Sequence, residues 1–236
     1  MKIRKVCTPR CLGILLLVCA VEVVWQNAAI GDDATPLHDV EFTPIFNGRD
    51  LTGWSGDTKH WAVNDGVLTC EDHAGNLFSE HEYDDFVIRC DFRLTAGANN
   101  GIGLRAPLGS KWVSGDGMEI QILDDGVEKL RELKPYQCHG SIYGFAPAKR
   151  GALKPVGEWN EQEVRCIGRS VVVVLNGKKI VDANLDNYEF DPAPDGRVRP
   201  GIKRSKGHLA LLGHSERAEF RNLRVHEIDG PKGSSP

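Results

Sequence analysis

Apolar and polar residues alternate along residues 86–94, where Phe86, Ile88, Cys90, Phe92 and Leu94 occupy every second position. A repeat of two is the signature of a strand with one buried and one wet face. Strand-like runs recur at 61–63 and 67–70 around Asn64-Asp65-Gly66, at 158–167, at 170–175 and 178–181 around Asn176-Gly177, at 207–213 and at 218–228. Asp-Gly and Asn-Gly between apolar runs predict tight hairpins, because both central residues of such a turn need positive φ. Residues 98–101 read as a turn leading into a glycine-containing strand at 102–105, and 138–144 as a short strand bracketed by glycines. No run sustains a helical period, and no internal repeat is present. Ten to twelve short strands in one domain predict an all-β fold, a sandwich of two antiparallel sheets.

One alternating run carries unusual chemistry. In Gly117-Met118-Glu119-Ile120-Gln121-Ile122-Leu123-Asp124-Asp125, Glu119 and Gln121 share one face while Met118, Ile120 and Ile122 share the other. A bulge at 123–125 would swing Asp124 onto the face of Glu119 and Gln121. Two carboxylates and a carboxamide would then line one surface; the plainer alternative is a solvated strand face that happens to be acidic.

Composition sets the surroundings. The chain has 236 residues, 41% hydrophobic and 26% charged, which suits a folded globular protein. Lys2, Arg4, Lys5 and Arg10 precede an apolar stretch from residue 12 to 21, with Ala29-Ile30-Gly31 as a cleavage site, so residues 1–31 read as a secretory signal. Export to the periplasm or the extracellular space follows, with lipid anchoring at Cys19 as the alternative. Residues 32–40 read as a flexible leader, 41–228 as one domain, and 229–236 as a disordered tail. The signal takes four basic and one acidic residue with it, so the formal charge falls from −4 to −7. No basic cluster remains to hold nucleic acid, and no stable transmembrane segment is expected in the mature chain. Cys70, Cys90, Cys138 and Cys166 remain, enough for two disulfides in an exported protein. Cys90 and Cys166 nevertheless share parity with core positions and read equally well as small buried hydrophobes.

Several separated motifs then occur in a telling order: Phe46-Asn47-Gly48-Arg49-Asp50-Leu51-Thr52-Gly53-Trp54, the 117–124 strand, Gly140-Ser141-Ile142-Tyr143-Gly144, Gly157-Glu158-Trp159-Asn160, Leu175-Asn176-Gly177 and Phe220-Arg221-Asn222-Leu223-Arg224-Val225. Over about residues 41–228 the chain resembles the 3-keto-disaccharide hydrolase family, whose fold is the concanavalin A-like jelly roll. More weakly, Glu119, Gln121 and Asp124 fall where laminarinase-type glycosidases on that fold carry Glu-x-Asp-x-x-Glu. Glutamine in the middle and an aspartate at the end depart from a double-carboxylate glycosidase.

The first resemblance implies an oxidised (3-keto) glycoside or disaccharide as substrate, supplied by an upstream glycoside 3-oxidoreductase. The C3 ketone makes the C2 proton acidic, so that base removal expels the glycosidic oxygen and water then adds. Glu119 or His139 is the candidate base and Asp124 the candidate acid. Arg105, Gln121, Tyr143, His214 and Trp112 are candidate substrate-binding residues, and Glu119, Asp124 and His139 are candidate ligands for a possible divalent metal ion, although no cofactor is demanded by any spacing. The rival reading is a lectin-like carbohydrate-binding module without catalysis. Trp159 reads more readily as core packing than as a sugar platform.

Overall fold

The Asp-Gly and Asn-Gly pairs fold the chain back as their types require: Asp65 and Gly66 take φ of +50° and +78°, Asn176 and Gly177 +50° and +80°. The structure, a computed structural model, describes residues 40–126, 132–214 and 216–228. The expected signal peptide, the leader up to residue 39 and the expected tail lie outside the described residues. In chain order the strands are β1 Thr43–Pro44, β2 Trp54–Gly56, β3 Trp61–Asn64, β4 Val67–Cys70, β5 Leu77–Tyr83, β6 Phe86–Leu94 and β7 Asn99–Ala106, then a four-residue helix α1 Val113–Asp116, then β8 Met118–Leu123, β9 Asn160–Ile167, β10 Ser170–Leu175, β11 Lys178–Asn184, β12 Gly207–Leu212 and β13 Ala218–Glu227.

All pairings are antiparallel. One sheet runs β11-β10-β9-β6-β13-β4-β3, with β1 also on β13, and the other runs β2-β5-β12-β7-β8. The inner faces meet in one core that includes Leu68, Phe86, Ile88, Phe92 and Phe220 from the larger sheet and Leu77, Ile102, Ile120 and Leu211 from the smaller, all essentially without exposure. This is the two-sheet sandwich that the strand count predicts.

Several local expectations need correction. The outer face of β6 is not simply wet. Arg89 reaches Glu163 at 2.5 Å, Arg93 reaches Glu219 at 2.5 Å, and Arg221 reaches Asp91 at 3.0 Å. Val87 is fully buried there. Trp159 is half-buried outside the hydrophobic core, with the guanidinium groups of Arg93 and Arg221 at 4.7 and 4.1 Å from its ring, so it is not the core packing that the sequence suggests. The predicted turn at 98–101 is already strand: the turn closes at Ala98, and the buried Asn100 amide donates to the Leu212 carbonyl at 3.1 Å. No bulge follows Leu123, since β7 and β8 pair from Asn99↔Leu123 to Leu104↔Met118 without a register shift. Residues 138–144 form turns in which Ile142 alone makes bridges, to Ile120 and to Ala146, rather than a strand. Finally, all four described cysteines are free and buried, which is the hydrophobe reading and not the disulfide one.

Candidate active site

β8 is the last strand of the smaller sheet, yet its outer edge is not open. Gly140 N donates to Gln121 O at 2.8 Å, Gln121 N to Ser141 O at 3.0 Å and Tyr143 N to Glu119 O at 2.9 Å. Glu119 is thus fixed through its backbone on both sides. On the neighbouring strand, glycine leaves room for its side chain: a Cβ at Gly101 would stand 2.6 Å from Glu119 Oε1.

Glu119 belongs to the face of the smaller sheet turned away from the core. Five residues of that face and the loop above it, Phe78, Ala106, Val113, Ala210 and Leu212, form a separate small apolar cluster that roots the 107–117 segment on the sheet. Trp112 lies flat on Gly115, where a Cβ would come within 2.3 Å of the indole. The segment is held from behind by Arg199, whose side chain is fully buried. Arg199 donates to Asp195 Oδ2 from Nε and Nη2 at 3.0 and 2.6 Å, and from Nη1 to the Ser114 carbonyl at 2.7 Å. Its guanidinium also stands 5.3 Å from the ring centres of both Trp112 and Tyr143.

Between this segment and the start of β5 opens a cleft of about 530 Å³, lined by Asp57, Asn76, Lys111, Trp112, Glu119 and His214 among others. That size suits a small-molecule site. Glu119 is only 6% exposed. Burial pushes its carboxyl up from 4.5 to about 7, while the charge of Arg199 and a hydrogen bond from Ser114 pull the other way. A carboxylate poised near neutrality in a cleft can take a proton and give it back.

Of the eight residues singled out by sequence, three line this cleft: Glu119, Trp112 and His214. Asp124 does not share the cleft: its Oδ2 accepts from Gly97 N at 2.9 Å and its Oδ1 from Gly126 N at 3.2 Å. His139 is inside the sandwich, its Nδ1 accepting from Leu123 N at 3.1 Å and its ring 5.2 Å from that of Phe92. Burial lowers its pKa to about 4, so it is neutral in ordinary buffers. Arg105, with φ of +51°, is 1% exposed and ties together three turns: it donates to Asp84 O, Gly168 O and Arg204 O and pairs with Asp85 at 3.0 Å. Gln121 is buried and donates to Asn99 Oδ1 at 2.7 Å. Tyr143 accepts from Gln137 Nε2 at 3.1 Å and packs on Arg199, behind the cleft wall. Among the described residues no three His, Cys, Asp or Glu side chains converge as metal ligands, and Glu119, Asp124 and His139 do not form such a set.

Residue spacing pointed to none of Arg199, Asp195, Ser114, Asp57 and Asn76. The one trace of the first two in the sequence is an Asp and an Arg four apart in a polar, proline-containing stretch.

Residues 41–226 match the sequence model of a family described as "3-keto-alpha-glucoside-1,2-lyase-like domain". A 3-keto-disaccharide hydrolase of Bacteroides thetaiotaomicron is 24% identical over 229 residues, covering 80% of this chain and 79% of the relative. A crystal structure of a putative glycosyl hydrolase from Parabacteroides distasonis superposes with a TM-score of 0.71 at 30% identity, covering 80% of this chain and all of the other. The carbohydrate-binding module CBM66 of Bacillus subtilis shares the fold at 15% identity and a TM-score of 0.51, over 75% of this chain and 97% of the module.

Proposed function

The chain belongs to the 3-keto-alpha-glucoside-1,2-lyase-like domain family, and from that premise we propose that its cleft cleaves the glycosidic bond of a 3-keto-glycoside or 3-keto-disaccharide, with Glu119 as the base that takes the C2 proton. One observation carries this reading: a nearly buried carboxyl with a pKa raised to about 7 lines an open cleft beside a tryptophan face. An ordinary surface carboxylate would be too weak a base to compete for a carbon-bound proton; one near neutrality is matched to the task.

The C3 ketone draws the electron pair of the broken C2–H bond onto its oxygen as an enolate. When the pair returns, the C1–O bond breaks and the departing oxygen takes a proton. Lys111 and His214 line the cleft and are the groups available to stabilise the enolate or supply that proton. Asp124, with its oxygens occupied by two backbone amides, is replaced in this role. Addition of water to the enone completes a net hydrolysis; without it the product is the unsaturated keto-sugar. The substrate has to come from an oxidoreductase that makes the 3-ketone. The basic, apolar and small-residue order of residues 1–31 supports a place for the protein in the periplasm or outside the cell, with a lipid anchor at Cys19 as the alternative. Among the described residues no helix is long and apolar enough to cross a membrane.

The test incubates the purified protein with a 3-keto-glucoside and with its unoxidised parent, with and without chelator. Release of the aglycone from the keto compound alone, abolished in Glu119→Gln, is the expected result. Sugar binding without cleavage, retained in Glu119→Gln, would identify a binding module instead. Cleavage of the parent alone would identify an ordinary glycosidase, and loss of activity in chelator would add a metal to the site.

A further inference from the structure

Behind the cleft wall sits an ion pair whose two residues do not line the cleft. The Arg199 side chain has no exposure and that of Asp195 only 8%. A buried pair of this kind adds little net stability over apolar residues of the same volume, so its presence points to another use. The surrounding chain leaves no slack for it. A Cβ at Gly144 would stand 2.6 Å from Arg199 Nε, and one at Gly201, two residues after the arginine, would meet the backbone of Asp116 and Gly117 at 2.3 Å.

Two routes lead from this guanidinium to Glu119. Nη1 donates to the Ser114 carbonyl at 2.7 Å, and the Ser114 hydroxyl hydrogen-bonds the Glu119 carboxyl. The Tyr143 ring packs on the same guanidinium at 5.3 Å, and Tyr143 N donates to the Glu119 carbonyl at 2.9 Å. Arg199 thereby holds a side-chain partner and a backbone partner of Glu119 from one point. Its charge also favours the ionised carboxyl. Asp195 opposes that charge. Burial raises the Asp195 carboxyl, but the hydrogen bond from Arg199, the Arg197 amide and the Arg199 charge outweigh it, so Asp195 is ionised and accepts from Nε and Nη2. Lys111, His214 and Asp57 line the open cleft with Glu119, where water screens them, and Asp116 on α1 accepts from Ser110 Oγ at 2.7 Å. The pair acts from the buried side, where screening is weak.

We infer that Arg199 and Asp195 are the positioning residues of this site: Arg199 locks Ser114 and Tyr143 around Glu119, and Asp195 masks enough of the Arg199 charge for Glu119 to remain a base. With Arg199 unmasked, the carboxylate is stabilised and competes poorly for a carbon-bound proton. With the pair removed, Glu119 loses both the nearby charge and the hold on Ser114, and keeps its proton through neutrality. This rests on the reading of Glu119 as the base.

The experiment follows Glu119 itself, by NMR of its labelled side-chain carboxyl carbon, assigned through its loss in Glu119→Gln. The pH profile of kcat/KM on a nitrophenyl 3-keto-glucoside is measured beside it. Wild type is compared with Asp195→Asn and with the double variant Arg199→Met/Asp195→Asn, which leaves no buried charge unpaired. A nearby charge shifts a carboxyl by about one pH unit or more. The Glu119 midpoint is therefore expected to fall by about one pH unit in Asp195→Asn, with the plateau of kcat/KM reduced severalfold, and to rise by about one pH unit in the double variant. Opposite shifts are the signature, because a merely structural pair would loosen the site alike in both variants. Midpoints that move the same way, or do not move, would overturn the inference. If the double variant does not fold, Asp195→Asn, whose amide oxygen still accepts from Arg199, decides alone: an unmoved or raised midpoint refutes the masking. Failure of Glu119 as the base looks different. Resonance midpoints would shift in the two expected directions, which supports the pair's hold on the carboxyl, while wild type releases no nitrophenol or its acid limb ignores the resonance.

Discussion

Replacing Glu119 by glutamine is expected to remove activity and at the same time stabilise the protein at alkaline pH. The carboxyl is 6% exposed, and its pKa rises from 4.5 to about 7 on folding, chiefly because burial penalises the charged form. The folded state therefore binds this proton more tightly than the unfolded chain does. Below pH 4.5 both states are protonated and nothing is lost. As pH rises towards 7 the unfolded chain releases the proton first, and the folded state falls behind by about 1.4 kcal/mol for each pH unit, roughly 3 kcal/mol in all. Glutamine keeps the shape and never ionises, so Glu119→Gln should exceed wild type by roughly 3 kcal/mol at pH 8 and match it at pH 4. At about 2–4 °C per kcal/mol for a domain of this size, the melting temperature gains roughly 6–12 °C at pH 8. Thermal melts of both proteins at the two pH values, with urea titrations as a check on the slope, measure the difference. An equal gain at both pH values, or none at pH 8, would refute the argument that Glu119 is held desolvated in the cleft.

Other expectations come from neighbouring residues. The kcat/KM profile of wild type on a 3-keto-glycoside should fall on its acid side with a midpoint near the Glu119 pKa of about 7, and a midpoint near 4.5 would remove Glu119 from the base role. Gly101→Ala places a Cβ 2.6 Å from Glu119 Oε1, so kcat should drop by about 10- to 100-fold while circular dichroism stays that of the wild type. Arg199→Met leaves Asp195 buried without its partner and should cost about 3–5 kcal/mol in urea unfolding, with part of the loss restored by adding Asp195→Asn. His139, neutral in the fold down to about pH 4, favours the unfolded chain as acid is added: between pH 6.5 and 4 wild type should lose roughly 3 kcal/mol relative to His139→Asn, read from melts across that range.

Legibility differed between the strands and the site for a definite reason. Asp65-Gly66 and Asn176-Gly177 announce their turns because two adjacent positive φ values leave few residue choices. The alternation in 86–94 identified β6, but not the cover on its outer face. That cover comes from Glu163, Glu219 and Trp159, up to 126 residues away in sequence. The acidic row was visible as Glu119, whereas the grouping of Asp124 with it relied on a bulge that the regular β7–β8 pairing does not contain. Arg105 and His139 looked equally suited to chemistry by residue type. Their contacts instead fasten turns and fill the core, and no local spacing separates those uses.

The sequence alone determined the strand periods, the two tight hairpins, the two-sheet architecture and the position of one out-of-place carboxylate, since each of these depends on residues within a few positions of one another. Only the tertiary structure decided that Glu119 is desolvated, that Arg199 and Ser114 border it, and that Asp57 lines the same cleft from the opposite edge of the sheet. A pKa and a cleft are properties of what packs together from distant segments, and burial, which raises the Glu119 pKa, exists only once both sheets and the 107–117 segment have closed around it.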